Sequence, residues 1–210
     1  MRCTYTTSHI KAWHNEYKTW KGGPYSLGLL GQGHKRGKLL DAGCGGGKYS
    51  LPLRMCGFDV TAIDVSLKAL KIAGDRSAGR KLDITLLAAN IYTMPFREAR
   101  FDIIWCYGVL QHLMLNERGL AICEFHRILK EGGLLFIEVF GEGDMRYGGN
   151  EVEHNTFSRK NGIVYHYFDK NELEGLLKGF SHQIIESRKE KRFDGEVYTR
   201  HTISAVAKKL

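Results

Sequence analysis

"LLDAGCGGGKYS", Leu39 to Ser50, places four glycines within five positions directly behind two leucines and an aspartate. Each glycine loses more backbone freedom on folding than any other residue, so folding alone gives no reason to gather them. The stretch marks a place where something must lie against bare backbone. Its apolar lead, "KLLDAG", reads as a short strand that ends in an acid and feeds a turn.

Outward from that stretch the chain alternates. "GKYSLPLRMCG" suits a helix, with Pro52 tolerable only near its first turn. "FDVTAID" is a second strand ending in an acid, and "VSLKALKIAGDRSAG" a helix capped by Ser66 with Leu67, Leu70, Ile72 and Ala73 at helical spacing. "LDITLLAAN" and the nearly all-apolar "FDIIWCYGVL" are the next strands, the latter expected to be buried on both faces. "NERGLAICEFHRILKEGG" reads as an amphipathic helix with Leu120, Phe125, Ile128 and Leu129 in one stripe, ended by the Gly-Gly pair, and "LLFIEVF" as a fifth strand. Strict alternation implies right-handed crossovers and a parallel sheet covered on both faces. The tail differs: a helix capped by Asp169, then "HQIIESRKEKRF" and "YTRHTISAVAKK" as two consecutive strands, which need an antiparallel return. The charged "SRKEKR" fits an exposed edge and the apolar "ISAVA" the covered strand beside it.

The 210 residues suffice for one domain with a substantial core, and 43% hydrophobic with 26% charged residues is globular composition. No apolar run approaches a membrane span, and the N-terminus has no apolar stretch of signal-peptide type; the expectation is a soluble cytoplasmic protein. Cys3, Cys44, Cys56, Cys106 and Cys123 are scattered, odd in number and never in a C-x-x-C pair, which excludes a disulfide framework and a cysteine zinc site. The nine histidines show no ligand spacing, so no metal is expected. The formal charge of +8 would assist an acidic partner, RNA included, but the basic residues are spread along the chain and "RKEKR" at 188–192 reads as a charged strand surface.

Three ligand readings compete for the glycine loop. A P-loop ending at Gly47-Lys48 needs glycine at Ala42 and a hydroxyl at Tyr49 in place of a phenol, and fails twice. The dinucleotide fingerprint begun at Gly43 needs glycine at Lys48, and fails. The pattern acid-x-G-x-G-x-G is met by Asp41, Gly43, Gly45 and Gly47. A carboxylate at a strand end would repel a pyrophosphate but suits a ligand bearing an ammonium group, such as S-adenosylmethionine, a sulfonium without phosphate. Asp64 closes the second strand about 20 residues beyond the first glycine, where an acid accepts both ribose hydroxyls.

On these residues the chain resembles the class I S-adenosylmethionine-dependent methyltransferases, over "LLDAGCGGGKYS", "VTAIDVS", "LLAANIYTMPF", "FDIIWCYGVLQHL" and "HRILKEGGLLFIEVF", in that family's order from about Lys38 to Phe140. The resemblance implies a Rossmann-like, doubly wound, seven-stranded mixed α/β sheet in the order 3-2-1-4-5-7-6, with strand 7 antiparallel. It also implies roles. Asp41 would reach the methionine amino group, Gly43, Cys44 and Gly45 would line methionine and ribose, and Asp64 would hold the ribose diol with Val65 beside the adenine. Asn90, where the family commonly has aspartate, still offers a carbonyl to the adenine, with Ile91 next to it. Tyr107 and the turn after strand 4 would sit close to the methyl group, and His112 in "VLQHL" near the cofactor. The overall pattern looks most like the small-molecule and tellurite-resistance type enzymes, and "GCGGGKYS" with "VLQHL" is also similar to the transfer-RNA wobble-uridine methyltransferases.

The acceptor is less legible. Displacement at a sulfonium can proceed largely through in-line positioning, so the lack of a catalytic motif excludes nothing. Two segments would shape an acceptor pocket. Residues 1–37 are expected to form a helical segment packing on the 38–210 domain, with Trp13, Tyr17 and Trp20 on one face, Tyr25 nearby, and Tyr17 or Trp20 close to the cofactor. Residues 141–168 form a long connection after strand 5, a candidate lid in which His154 or His166 would contact the acceptor or act as base. Three functions stay open: methyl transfer to a small molecule, the same chemistry on RNA, and a non-catalytic cofactor-binding partner, as a monomer or a dimer.

Overall fold

The computed structural model describes residues 5–17 and 36–210, with residues 5–9 and 193 by backbone alone. Helix α1 (Tyr5–Glu16) comes first, and Trp20 and Tyr25 lie outside the described residues. Strand β1 (Lys38–Ala42) is the hub. Its last four residues are buried because it pairs in parallel with β2 (Asp59–Asp64) on one side and β4 (Phe101–Tyr107) on the other. Helix α2 (Ser50–Met55) leads into β2, and α3 (Leu67–Ala78) crosses to β3 (Thr85–Ala88). Ser66 caps α3 by accepting from Ala69 N, as its position predicts. Helix α4 (Leu115–Ile128) carries β4 to β5 (Leu129–Phe140), and α5 (Lys170–Leu176), capped by Asp169, precedes the hairpin β9 (Phe180–Phe193) and β10 (Glu196–Lys209).

The resulting seven-stranded sheet has the order β3-β2-β1-β4-β5-β10-β9, with β10 antiparallel to both neighbours. Apart from the labels of the last two strands, this is the expected order. Edge strand β9 exposes Arg188, Lys189, Lys191 and Arg192, while Ile203, Ala205 and Ala207 of β10 are buried. Charge on the open edge deters further strand pairing.

Three expectations need correction. Leu67 and Leu120 are 67% and 45% exposed, so neither belongs to its helix's buried stripe. In α3 the buried positions are Ala69, Leu70, Ala73 and Ser77, and in α4 they are Arg118, Ala121, Ile122, Phe125 and Ile128. Gly132 and Gly133 do not end α4, which stops at Ile128 and passes straight into β5; the glycines serve an irregularity in the β4–β5 register. A Cβ on Gly133 would stand 2.8 Å from a backbone carbonyl, so the strand needs that glycine for close approach.

The long connection is folded. Between β5 and α5 the chain forms a separate antiparallel sheet, β6 (Asn150–Glu153), β7 (Thr156–Ser158) and β8 (Val164–His166), which caps the carboxyl edge of the main sheet. The cap leaves and rejoins the body at one place, where Phe168 N donates to Phe140 O (2.8 Å) and Glu142 N to Phe168 O (3.2 Å). A buried chain of polar groups ties it down: His166 sits between Thr156 Oγ1 (2.8 Å) and Glu172 Oε2 (2.7 Å), and the other oxygen of Glu172 faces the buried Arg118 at 3.3 Å.

Ile104, fully buried in β4, is a measure of how much the central strand's packing contributes. Ile104→Ala is expected to lower unfolding free energy by about 2–5 kcal/mol, whereas Leu120→Ala should change it by less than about 0.5 kcal/mol. Urea denaturation of both variants checks the pair, and equal losses would contradict the corrected α4 face.

Candidate functional site

In a doubly wound sheet the crossovers diverge where the strand order reverses, and the carboxyl ends of the strands there leave a crevice. Here that point lies between β1 and β4. Both strands turn away on glycines with left-handed backbone, Gly43 at φ 80 and Gly108 at φ 73. A Cβ on Gly43 would lie 2.5 Å from Val109 Cγ2, so the two turns approach too closely for any other residue. Between them opens a cleft lined by both turns, the ends of β2 and β3, α1 and the cap.

The glycine loop is clamped to the end of β2. Gly43 N and Cys44 N both donate to Ile63 O (2.9 and 2.8 Å), and Gly45 N donates to Asp64 Oδ2 (2.9 Å). Asp64 Oδ1 also accepts from Ser66 N (2.8 Å), which fixes the carboxylate at the cleft wall. Asp41 does not line the cleft. It lies buried beneath the loop, where Ser50 Oγ donates to it at 2.5 Å. Burial pushes Asp41 up to about 7 and Asp64 up to about 6, the hydrogen bonds only partly offsetting desolvation. Cys44 is buried too, its thiol raised well above the ordinary range by burial and by Asp64, which makes it a filler and no nucleophile.

Of the other expected residues, Val65, Asn90, Ile91, His112 and Tyr17 line the cleft with Gly43 and Asp64. Asn90 Oδ1 already accepts from Tyr92 N at 3.3 Å, so the oxygen expected to face an adenine also supports its own turn. Tyr17 reaches over the loop: a Cβ on Gly45 would meet its hydroxyl at 2.2 Å. Its phenol is raised by burial first and by Asp64 next.

Three residues expected in catalysis lie elsewhere. Tyr107 stacks on Trp105 (3.9 Å between ring centroids) and meets Tyr49 edge-on at 5.6 Å, on the sheet face packed by α2 and outside the cleft. The strand's alternation sends it there, and Gly108 and Val109 take the place beside the cavity. His154 is exposed beside Asn155, which has φ 54 in the β6–β7 turn. His166 is 1% exposed with both ring nitrogens engaged, a tether of the cap and no cleft residue.

His112 is the histidine the fold brings to the site. Its Nδ1 faces Val164 O at 2.9 Å, and a carbonyl only accepts, so Nδ1 carries the proton and the neutral ring's Nε2 is an acceptor. Trp13 of α1 and Tyr165 of β8 hold the ring edge-on, each at 4.7 Å. Trp13, Glu117, and the cap residues Val152, Ser158 and Val164 line the same cleft on its cap side, the outer chamber. Sequence reading assigned Trp13 to packing alone; its i, i+4 spacing with Tyr17, 6.2 Å away ring to ring, was the available signal. The cap residues gave none, because strands of three or four residues show no alternation to recognise.

The cleft meets the chemistry of an unphosphorylated nucleoside. Among the described residues its lining holds two carboxylates, Asp64 and Glu117, and no lysine or arginine, the reverse of a phosphate cradle. Residues 40–137 match the methyltransferase domain family. Those residues form a methyltransferase domain. It is similar in sequence to the malonyl-[acyl-carrier protein] O-methyltransferase of Pseudescherichia vulneris, 34% identical over 119 residues, covering 57% of this chain and 45% of that protein. A ubiquinone biosynthesis O-methyltransferase of Caulobacter vibrioides is 38% identical over 100 residues, covering 47% and 39%. The methyltransferase domain thus spans less than half the length of these curated relatives. In fold it resembles a S-adenosylmethionine-dependent methyltransferase from Methanosarcina mazei, with a TM-score of 0.73, 23% identity and coverage of 89% of this chain and 99% of that one. No helix among the described residues is long and apolar enough to cross a membrane.

The raised carboxyls give the methyltransferase domain a pH signature. Folded Asp41 and Asp64 hold protons that unfolded aspartates, at about 4, release. Between about pH 4 and 7 the folded state therefore binds more protons, and ligand-free stability falls as pH rises through that window. Asp41→Asn should flatten this slope; urea denaturation at pH 5 and 7.5 on both proteins measures it.

Proposed function

We propose that this protein transfers a methyl group from S-adenosylmethionine to an oxygen atom of a small-molecule acceptor. The observation that carries the reading is the oriented imidazole of His112 in the wall of the cleft, with the nucleoside-compatible carboxylate of Asp64 in the same wall. The O-methyltransferase names of the sequence relatives support an oxygen nucleophile.

Bound there, S-adenosylmethionine supplies a methyl group on a sulfonium with a good leaving group. Asp64, already fixed by Gly45 N and Ser66 N, offers its carboxylate oxygens to the two hydroxyls of a ribose. The bare backbone at Gly43 and Gly45 lets the ligand lie within contact of the main chain, and the buried negative charge of Asp41 below the loop favours an ammonium group above it. A hydroxyl acceptor must lose its proton as it attacks, and His112 Nε2 takes it. Val164 O then stabilises the proton already on Nδ1, and the ring contacts with Trp13 and Tyr165 keep the imidazole aimed. The cap excludes water from the outer chamber, with Val152 and Val164 as apolar wall.

Two measurements test this. A cofactor-consumption screen over phenols, carboxylic acids, thiols, amines and bulk transfer RNA should find turnover with an oxygen acceptor; turnover confined to RNA or absent throughout would contradict it. With the acceptor in hand, His112→Ala should lower kcat by about 10²–10⁴-fold, leaving S-adenosylhomocysteine affinity within about threefold. Asp64→Asn should do the opposite, weakening S-adenosylhomocysteine binding by a factor of roughly ten or more; calorimetry separates the two.

A further inference from the structure

Beyond Tyr165, on the side away from His112, the structure holds a group of arginines that the proposed reaction does not use. Phe140, at the carboxyl end of β5, lies parallel to Tyr165 with 6.4 Å between ring centroids and 5° between planes. The guanidinium of Arg146 sits 4.2 Å from the centroid of Phe140, that of Arg200 4.9 Å, and that of Arg159 5.4 Å from Tyr165. Stacking on aromatic faces holds a guanidinium flat with its N–H groups directed in plane, and Arg159 Nη2 spends its own on Arg146 O and the Tyr167 hydroxyl.

Charge here is unbalanced. Asp144, whose side chain is 0% exposed, is the one carboxylate among the described residues in contact with these arginines. Its oxygens accept from Arg146 N (3.1 Å), Arg146 Nε (3.2 Å) and His201 N (3.2 Å), and face Arg200 Nε at 3.4 Å. Glu142 is occupied by Asn155 Nδ2 at 2.5 Å, and Glu138, which also acts on Arg200 through space, is shared with Ser204, Lys48 and Lys189. Asp144 thus orients Arg146 through Nε and leaves the distal end of its guanidinium to other partners. That end is incomplete: Arg146 Nη2 is buried with no hydrogen-bond partner. A buried cationic donor without an acceptor is costly, and it marks the place an incoming acceptor atom would fill. Burial first, and like charge from Arg146 next, disfavour the cationic form of Arg200, and an anion between the two arginines would relieve the second.

We propose that the acceptor carries an oxyanion, carboxylate or phosphate, that docks on Arg146 with Arg200 and Arg159 beside it, while its reactive hydroxyl enters the chamber at His112. The run His112–Tyr165–Phe140–Arg146 is continuous, each group in ring contact with the next, so the imidazole and the arginines are neighbours through one aromatic pair. A planar fork of N–H donors over aromatic rings favours a planar bidentate anion. This inference rests on the reading of the outer chamber as the acceptor site.

Calorimetry on the full chain tests it, with benzoate, malonate and inorganic phosphate as probes, benzamide as the neutral match to benzoate, each titrated with and without saturating S-adenosylhomocysteine. At least one anion should bind and benzamide should not; the carboxylate and phosphate arms distinguish the two sources. Arg146→Gln should weaken anion binding at least tenfold and Arg146→Lys less, with the S-adenosylhomocysteine affinity unchanged within twofold and the circular dichroism unaltered. Arg200→Gln, which leaves the Arg146 main chain in place, repeats the test if Arg146→Gln does not fold. Binding of benzamide as tight as benzoate, anion binding indifferent to both substitutions, or no anion binding overturns the proposal. Failure of S-adenosylhomocysteine to bind while anion binding tracks Arg146 overturns the methyl-donor reading and leaves only the anion site at Arg146 standing.

Discussion

The clamp of the glycine loop on the end of β2 is the constraint from which the site follows. Two successive amides, of Gly43 and Cys44, share the carbonyl of Ile63, and the amide of Gly45 is taken by the carboxylate of Asp64. A strand end and a neighbouring turn are thereby held as one rigid unit. Only residues without a side chain fit where that unit meets Val109 and Tyr17. The acid proposed to receive the ribose is the same one that braces the loop. Binding and folding are coupled in Asp64, so its carboxyl is kept in a costly buried position that a fold without a ligand would have no reason to retain.

Much of this was legible in the sequence because it is local. Strand ends on acids, Ser66 and Asp169 sit at helix starts, and the apolar runs of β1, β4 and β5 report burial on both faces; each depends on neighbours within one turn or one strand. The charged β9 was readable for the same reason. Leu67 and Leu120 misled because helical spacing defines a stripe without saying which flank of it faces the sheet, and small residues, Ala69, Ala73 and Ala121, occupy the true contacts. A buried arginine, Arg118, also belongs to the stripe, and nothing in composition announces a charged residue whose partner, Glu172, is 54 positions away.

The site divides along the same line. Asp64, Gly43 and the residues after β3 were found because the crossover rule fixes where strand ends converge. The chemistry of the outer chamber was not, since it comes from parts distant in sequence: Trp13 in α1, His112 after β4, and Val164 in the cap. His166 and His112 look alike in sequence. What distinguishes them is what their ring nitrogens meet: Thr156 and Glu172 in one case, and on Nδ1 a backbone carbonyl in the other.

The cap's point of attachment has a consequence for how such a chain can change. Phe140 and Phe168 are joined by a main-chain hydrogen bond, so the intervening residues form an excursion whose two ends are neighbours. Lengthening an excursion of that kind costs only a slowly growing loop-closure entropy where the bonds of Asp144 and Met145 to β10 are kept. The outer strands of the cap can thereby vary in length and sequence while the scaffold beneath them keeps its fold.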